Sequence, residues 1–182
     1  MIFTQLDLKL LLLLQNFHNK FLDYLSLGIS WITEGGFIWF FICGLIFLFE
    51  KKEKKRKIFL ILSVLLLSDW LVNIPFKMIL FCRERPYKVI PGIRVIGKIW
   101  ENCSFPSGHL AVSTAAVLII GYLFHLRKGW FIFSSISFLF LLSFARMYVG
   151  MHYLSDILGG IVIGVISALI IIYFDKQINW KF

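Results

Sequence analysis

The chain has 182 residues, of which 59% are hydrophobic, and its mean hydropathy is +0.85. About half of a soluble domain is apolar, so this composition excludes an ordinary soluble protein and predicts a polytopic membrane protein. One domain over residues 1–182 is expected at this length. The formal net charge is +9. Because the basic residues lie between apolar runs, loop topology and anionic lipid explain them better than nucleic acid, which we do not expect as a partner.

The three cysteines, Cys43, Cys82 and Cys103, do not have the spacing of a metal site. Cys43 lies inside an apolar run, where we expect it to serve packing. Cys82 and Cys103 could face the same compartment, which leaves a disulfide open. No cleavable signal peptide is expected, because the first apolar run, Leu10 to Leu14, is not followed by a small-residue cleavage site.

The first 33 residues predict two helical pieces, an amphipathic helix over 1–20 and a short helix over 21–33. The pieces form either one span or an interfacial helix followed by a span. Five later runs are apolar and long enough to cross, or nearly cross, a bilayer: about 36–49, 58–81, 109–126, 130–147 and 154–174. The expected fold class is therefore all-α, a polytopic membrane bundle of about six transmembrane helices.

Small residues recur every four positions in the last apolar run, at Gly160, Gly164 and Ala168. This pattern lets membrane helices approach closely. We interpret it as a packing face.

The positions of the basic residues predict which ends of the helices face the cytoplasm. The basic run at 51–57, the Arg127-Lys128 turn, Lys176 and Lys181 fall on one side, which the positive-inside rule makes cytoplasmic. The opposite face receives segment 82–108 and the neighbourhood of 146–153. Segment 82–108 is also basic, with Arg83, Arg85, Lys88, Arg94 and Lys98. We interpret these outer charges as ligand-binding; a solvated loop that happens to be basic is the alternative.

A polar segment meets an apolar run at Pro106-Ser107-Gly108-His109. Helix starts expose unpaired N–H groups and positive dipole, which suits an anion such as phosphate. Ser107 adds a hydroxyl donor, Gly108 allows close approach of the backbone, and His109 can carry a proton at neutral pH. A plain helix cap is the alternative.

A second cluster lies at the outer end of the run 58–81. Lys77 falls inside the apolar run, where an unpaired ammonium costs about 2.5–3.5 kcal/mol unless it reaches the interface. Asp69 and Asn73 share its helical face and could hydrogen-bond it or one another. Arg85 lies in the polar loop that follows, and its guanidinium suits bidentate phosphate contacts.

The third cluster contains Arg146, His152 and Asp156. His152 and Asp156 are four positions apart, so the carboxylate can hold one ring nitrogen and leave the other free to attack. A helix cap by Asp156 is the alternative. Topology puts all three clusters on the outer side, which predicts an oxyanion pocket with a nucleophile and a general acid.

These residues resemble the type-2 phosphatidic-acid phosphatase superfamily, which also includes the vanadium haloperoxidases. Its Pro-Ser-Gly-His motif stands intact at 106–109. Its last motif is matched by Arg146, His152 and Asp156 at the family spacing, with Ala145 in place of a serine. Its first motif is matched by Lys77 and Arg85-Pro86, with seven intervening residues where the family has six. The motifs cover about 77–156.

The resemblance implies a lipid phosphatase that needs neither a metal nor another cofactor. It implies that His152 attacks phosphorus to give a phosphohistidine, that Asp156 orients His152, and that His109 acts as general acid and base. The implied phosphate-binding groups are Lys77, Arg85, Ser107, Gly108 and Arg146.

Within the superfamily the chain is most similar to the bacterial lipid A 1-phosphatases, which implies a lipid phosphate substrate and an active site at the periplasmic face of the inner membrane. Undecaprenyl pyrophosphate phosphatase and phosphatidylglycerophosphate phosphatase are the alternatives. The sequence gives no oligomeric state.

Three other functions are alternatives to a lipid phosphatase. Haloperoxidases share the pocket but are soluble. An intramembrane serine protease could pair Ser107 with His152, although nothing would then explain the surrounding cations. A non-catalytic membrane protein that binds anionic lipid is the main alternative in kind.

Overall fold

The computed structural model describes residues 2–17, 19–80 and 82–178, and it contains only helices there, which confirms the all-α class. Met1, His18, Phe81 and 179–182, with the predicted cytoplasmic Lys181, lie outside the described residues. In chain order the helices are α1 (Ile2–Gln15), α2 (Lys20–Thr33), a 3-10 turn (Glu34–Gly36), α3 (Phe37–Phe49), α4 (Lys54–Leu71) continued by a π-helix (Val72–Leu80), α5 (Pro86–Val89), α6 (Gly108–Leu123), α7 (Gly129–Tyr148) and α8 (Leu154–Gln177).

Helix α6 lies at the centre of the bundle, against α8 on one side and α4 on another. Gly160, Gly164 and Ala168 are all buried on α8. A β-carbon on Gly160 would lie 2.5 Å from the Ser107 carbonyl oxygen, and one on Gly164 would lie 2.5 Å from that of Ala111. The expectation that these small residues serve packing is confirmed, and the contact holds the start of α6 against α8.

Four helical segments are long and apolar enough to cross a membrane: Lys20–Phe49, Lys54–Leu80, Gly129–Tyr148 and Leu154–Gln177. Helix α6 is a shorter apolar helix of 16 residues. The first segment is not continuous, because Gly35 and Gly36 both have left-handed backbone, with φ of 57° and 76°. These two glycines divide it into α2 and α3.

The N-terminal and C-terminal parts of α1 and of α2 all make contacts at the same end of the bundle. On α1, Asp7 accepts a hydrogen bond from the Ser155 amide at 2.8 Å, and Gln15 donates to the Tyr148 carbonyl at 3.1 Å. On α2, Asp23 accepts from the Tyr148 hydroxyl at 2.7 Å. The 3-10 turn that follows α2 carries Glu34, which pairs with Lys98 at 2.9 Å. The N-terminal pieces therefore contact this end of the bundle, which we call the outer end.

The remaining long helices, α3, α4 with its π-helix, α6, α7 and α8, run between the outer end and the opposite end. At the opposite end Asp175 of α8 accepts from Arg56 of α4 at 2.9 Å and from Tyr122 of α6 at 2.8 Å. Within the part of the chain that the structure describes, these five helices run from end to end.

Replacing Gly164 with alanine is expected to destabilise the protein by about 1–3 kcal/mol, because the added methyl group overpacks the α6–α8 contact. Thermal unfolding in detergent measures this. Gly44→Ala is the matched control, since a β-carbon there has no atom within 4 Å. Equal unfolding temperatures for the two variants would contradict the close approach of α6 and α8.

Candidate functional site

A cavity of about 360 Å³ opens at the outer end of the bundle. Lys77, Arg85, His109, Arg146 and His152 line it, and they come from the π-helix, the loop before α5, α6, α7 and the loop before α8. The Gly108 backbone at the start of α6 also lines the cavity. The structure therefore brings the three predicted clusters together in one place.

Ser107 and Asp156 complete the set of residues predicted for the site. Both are fully buried, and the Ser107 amide donates to the Asp156 carbonyl oxygen at 3.0 Å. The cavity has further walls from the end of α2, the 3-10 turn, α3, α4 with its π-helix, the loop before α6 and α6 itself: Thr33, Glu34, Gly35, Gly36, Phe40, Leu65, Leu66, Asp69, Asn73, Trp100, Asn102 and Val112.

Lys77 reaches the cavity from a π-helix, Val72–Leu80, that contains Pro75. Proline lacks the amide hydrogen that an α-helix needs and clashes with the preceding turn, so the helix widens around it. A wider turn holds an extra residue per turn. The wider turn accommodates the additional, seventh residue between Lys77 and Arg85. The side chains of Lys77 and Arg85 line the same cavity.

Hydrogen bonds hold Arg85 in place. Its Nε donates to the Asn102 carbonyl at 2.9 Å, and its Nη1 donates to the Met151 carbonyl at 3.1 Å. Nη1 also lies 3.4 Å from Nε2 of His152. None of these partners is a carboxylate, so the positive charge of Arg85 is positioned but not neutralised.

Besides Nδ1 of His152, two buried polar groups beside the cavity lack a partner among the described residues: Nε of Arg146 and the hydroxyl of Ser107. Ser107 stands at the N-cap of α6, but its side chain makes no capping hydrogen bond. Leaving buried polar groups unpaired is costly, which indicates that a ligand satisfies them. The structure thus does not support a plain serine cap at this helix start.

His152 and Asp156 lie side by side. Nδ1 of His152 is 3.5 Å from Oδ2 of Asp156, which is longer than a well-formed hydrogen bond. The same Oδ2 accepts from the Tyr153 amide at 2.9 Å, so Asp156 also caps α8. The capping contact of Asp156 is therefore present, and its role in orienting His152 stays a prediction.

The pKa of His152 is held well below its ordinary value of 6.5, first by burial and then by the positive charges of Arg146, Arg85 and Lys77. The imidazole is therefore neutral at and below neutral pH. Neutral imidazole has a free electron pair on one ring nitrogen, as a nucleophile requires.

Arg83 contacts Asp156, which the sequence analysis did not predict. Arg83 donates to Asp156 at 3.3 Å, to the Ser155 hydroxyl at 2.6 Å and to Asp7 at 2.9 Å. Its guanidinium also stacks on Tyr153, 3.6 Å from the ring centroid. The sequence signal was Asp7 itself, a lone carboxylate in an apolar helix and only 2% exposed in the structure.

The structure answers the question about Cys82 and Cys103, because the two form a disulfide. The bond joins the segment that carries Arg83 and Arg85 to the segment that leads into Ser107. Free Cys43 is buried, as predicted.

Of the outer basic residues interpreted as ligand-binding, Arg85 lines the cavity, and the other four have partners within the protein. Arg83, Arg94 and Lys98 pair with carboxylates of the N-terminal segment, and Lys88 donates to a backbone carbonyl: the pairs are Arg83–Asp7, Arg94–Asp23, Lys98–Glu34 and Lys88–Glu101. These contacts join residues 64 to 76 positions apart for the first three pairs, which local sequence patterns do not reveal.

The PAP2 superfamily has a sequence model that matches residues 57–180. The chain belongs to the PAP2 superfamily. As the sequence analysis predicted, it is a membrane lipid phosphatase, an enzyme of a family that hydrolyses phosphate esters or pyrophosphates.

Named relatives differ in substrate. This PAP2 chain is 28% identical to a lipid A 4'-phosphatase of Porphyromonas gingivalis, over 97% of this chain and 76% of the relative. It is 28% identical to a lipid A 4'-phosphatase of Bacteroides thetaiotaomicron, over 88% and 73%. It is 27% identical to the undecaprenyl-diphosphatase BcrC of Bacillus subtilis, over 89% and 79%.

Solved structures share the fold. LpxE of Aquifex aeolicus superimposes with a TM-score of 0.75 at 22% identity, covering 92% of this chain and 95% of that one. A PAP2-type phosphatidylglycerolphosphate phosphatase of Bacillus subtilis superimposes with a TM-score of 0.72 at 19% identity, covering 97% and 87%. At these identities the likeness establishes the helical membrane fold.

His152 gives a testable dependence of stability on pH. Below pH 6.5 the unfolded chain protonates this histidine and the native protein does not, so native stability falls as pH falls, by at most about 1.4 kcal/mol per unit. His152→Gln removes this contribution, so thermal unfolding of the variant between pH 6.5 and 5 should vary less than that of wild type.

The matched control is His125→Asn, which alters an exposed histidine with left-handed backbone that asparagine tolerates. This variant should keep the wild-type dependence, because His152 is still present. An unchanged dependence in His152→Gln would contradict a neutral His152.

Proposed function

We propose that this PAP2 enzyme removes a phosphate group from lipid A or a closely similar phosphorylated glucosamine lipid. The observation that carries the reaction is the cavity, in which Lys77, Arg85 and Arg146 surround His152. No carboxylate of the described residues lies within 4 Å of these three cations. A phosphate group supplies the missing negative charge.

The relatives support the choice of lipid. Two lipid A 4'-phosphatases are 28% identical to this chain, and one of them matches 97% of it. Their names favour the 4'-phosphate over the 1-phosphate that the sequence analysis predicted. Undecaprenyl diphosphate is the second candidate, because the diphosphatase BcrC is 27% identical.

His152 is the proposed nucleophile. Asp156 lies beside Nδ1 and keeps the proton on that nitrogen, so the electron pair of Nε2 attacks phosphorus. The bond from phosphorus to the lipid oxygen breaks, and its electrons stay on that oxygen. His109 donates a proton to it, which releases the dephosphorylated lipid and leaves a phosphohistidine.

His109 then works in the opposite direction. It accepts a proton from water while the water oxygen attacks phosphorus, and the bond from phosphorus to Nε2 breaks. Inorganic phosphate leaves and His152 is restored. One group thus serves as acid in the first step and base in the second.

The cations and donors of the cavity hold the three equatorial oxygens, on which charge develops in the transition state. The five proposed groups are Lys77, Arg85, Arg146, the Ser107 hydroxyl and the Gly108 amide. Because side chains supply the positive charge, the proposed mechanism uses no metal.

The proposed compartment is the periplasmic side of the inner membrane. Disulfides persist in oxidising compartments such as the periplasm, and Cys82–Cys103 lies at the cavity end. The basic run 51–57 and the Arg127-Lys128 turn lie at the opposite end, in agreement with the positive-inside rule.

Purified enzyme in detergent should release phosphate from lipid A faster than from undecaprenyl diphosphate or phosphatidylglycerophosphate, measured side by side. His152→Ala should lower the rate at least a thousandfold, because the covalent step is lost. His125→Asn, remote from the cavity, should keep wild-type activity. Mass spectrometry of the product distinguishes loss of the 4'-phosphate from loss of the 1-phosphate.

Two additions test the proposed chemistry in the same assay. Activity should persist in EDTA, and millimolar vanadate should inhibit, because vanadate mimics five-coordinate phosphorus. Strong activity of His152→Ala would overturn the nucleophile, and loss of activity in EDTA would overturn the metal-free mechanism.

A further inference from the structure

A polar pair inside a membrane helix lines the cavity and has no part in the mechanism above. Asp69 and Asn73 lie one turn apart on α4 and the π-helix, and Nδ2 of Asn73 donates to Oδ1 of Asp69 at 2.9 Å. No hydrogen bond from a described residue reaches Oδ2 of Asp69. A carboxylate within a span costs about 2.5–3.5 kcal/mol, so such residues usually serve function.

The cavity wall changes character along this helix. Lys77 stands at the phosphate end, Asn73 and Asp69 follow toward the middle of the bundle, and Leu65 and Leu66 line the far end. Asp69 lies eight residues from Lys77, at most roughly 12 Å along the axis. The order is cation, hydrogen-bonding pair, apolar surface.

The far end of the cavity is open on its apolar side. Phe40 of α3 and Leu66 of α4 line it while 52% and 70% exposed. Exposed apolar residues on membrane helices suit acyl chains. A lipid lying along this wall would put its phosphate at Lys77, its linking group at Asn73 and Asp69, and its chains at Phe40 and Leu66.

Asp69 lies near enough to Lys77 to interact with its charge, but the two side chains form no direct ion pair. The carboxylate makes no ion pair within 4 Å among the described residues, and its one hydrogen-bond donor is neutral Asn73. Asp69 is also exposed to the cavity, whereas the ion-paired Asp7 and Asp175 are buried. An acceptor held in this way is available to a ligand.

We propose that Asp69 and Asn73 form a subsite that selects lipids whose linking group, next to the phosphate, carries hydrogen-bond donors. This inference rests on the proposed function and narrows its substrate class. Amide N–H and hydroxyl groups of an N-acylated glucosamine lipid donate to Asp69. The ester groups of phosphatidic acid only accept, and the chain of a polyprenyl diphosphate has neither.

The test compares two probes on each enzyme: an N-acylated glucosamine lipid phosphate and phosphatidic acid, both in mixed detergent micelles. Asp69→Asn should lower kcat/KM about tenfold for the glucosamine lipid, mainly through a higher KM, because a hydrogen bond to a charged acceptor is weakened. The value for phosphatidic acid should stay within twofold. Glu101→Gln, which removes an exposed loop carboxylate outside the cavity, should leave both values unchanged.

Asn73→Ala and a binding measurement cover the case in which Asp69→Asn does not fold. Asn73→Ala should reduce the preference for the glucosamine lipid by a smaller factor. With wild-type enzyme, an N-acylated glucosamine lipid without phosphate should inhibit more strongly than diacylglycerol.

Equal loss on both probes in Asp69→Asn would overturn the subsite, and so would unchanged kinetics on both. Equal inhibition by the two phosphate-free lipids would also overturn it. Failure of the proposed function gives a different result, which is seen with wild-type enzyme alone: phosphate is then released from lipid A no faster than from undecaprenyl diphosphate or phosphatidylglycerophosphate.

Discussion

Positive charge without a carboxylate partner is the constraint on which this structure depends. The N-terminal segment supplies one carboxylate to each of three basic residues that do not line the cavity: Asp7 to Arg83, Asp23 to Arg94 and Glu34 to Lys98. Inside the cavity, Lys77, Arg85 and Arg146 have no such partner among the described residues. Burial of unpaired cations is unfavourable, so the remainder of the fold must hold them together until an anion binds.

The fold meets this cost with contacts around the cavity. Close packing of α6 against α8 fixes Ser107 and Gly108 beside Asp156, and the glycines of α8 allow the approach. The Cys82–Cys103 bond ties the loop of Arg85 to the same helix start. Burial and the same cations lower the pKa of His152, so the arrangement that attracts phosphate also helps to keep the proposed nucleophile neutral. The fold thus holds the site together, while the positive charges of the site lack a carboxylate partner. This combination is common in catalytic sites.

The sequence predicted the elements that local patterns encode. Apolar runs gave the five end-to-end helices, the Gly160-Gly164-Ala168 pattern gave the packing face, and motif spacing with alternating topology brought Lys77, His109 and His152 to one end. It could not predict the position of α1 and α2, because their contacts join residues 64 to 148 positions apart. Nor could it assign the outer basic residues, since a cation in a loop looks the same whether a ligand or a distant carboxylate faces it. The π-helix around Pro75 was also not predicted, although the sequence contained a related sign, the additional seventh residue between Lys77 and Arg85.

The central claim is that the uncompensated cations deliver a phosphate group to His152. Rapid quenching of the enzyme with ³²P-labelled lipid A, followed by peptide mapping in alkali, tests it most directly, because phosphohistidine survives alkali and is lost in acid. The account predicts label on the peptide that contains His152 and none in the His152→Ala enzyme. Label on another residue, or turnover by His152→Ala without a labelled intermediate, would contradict it.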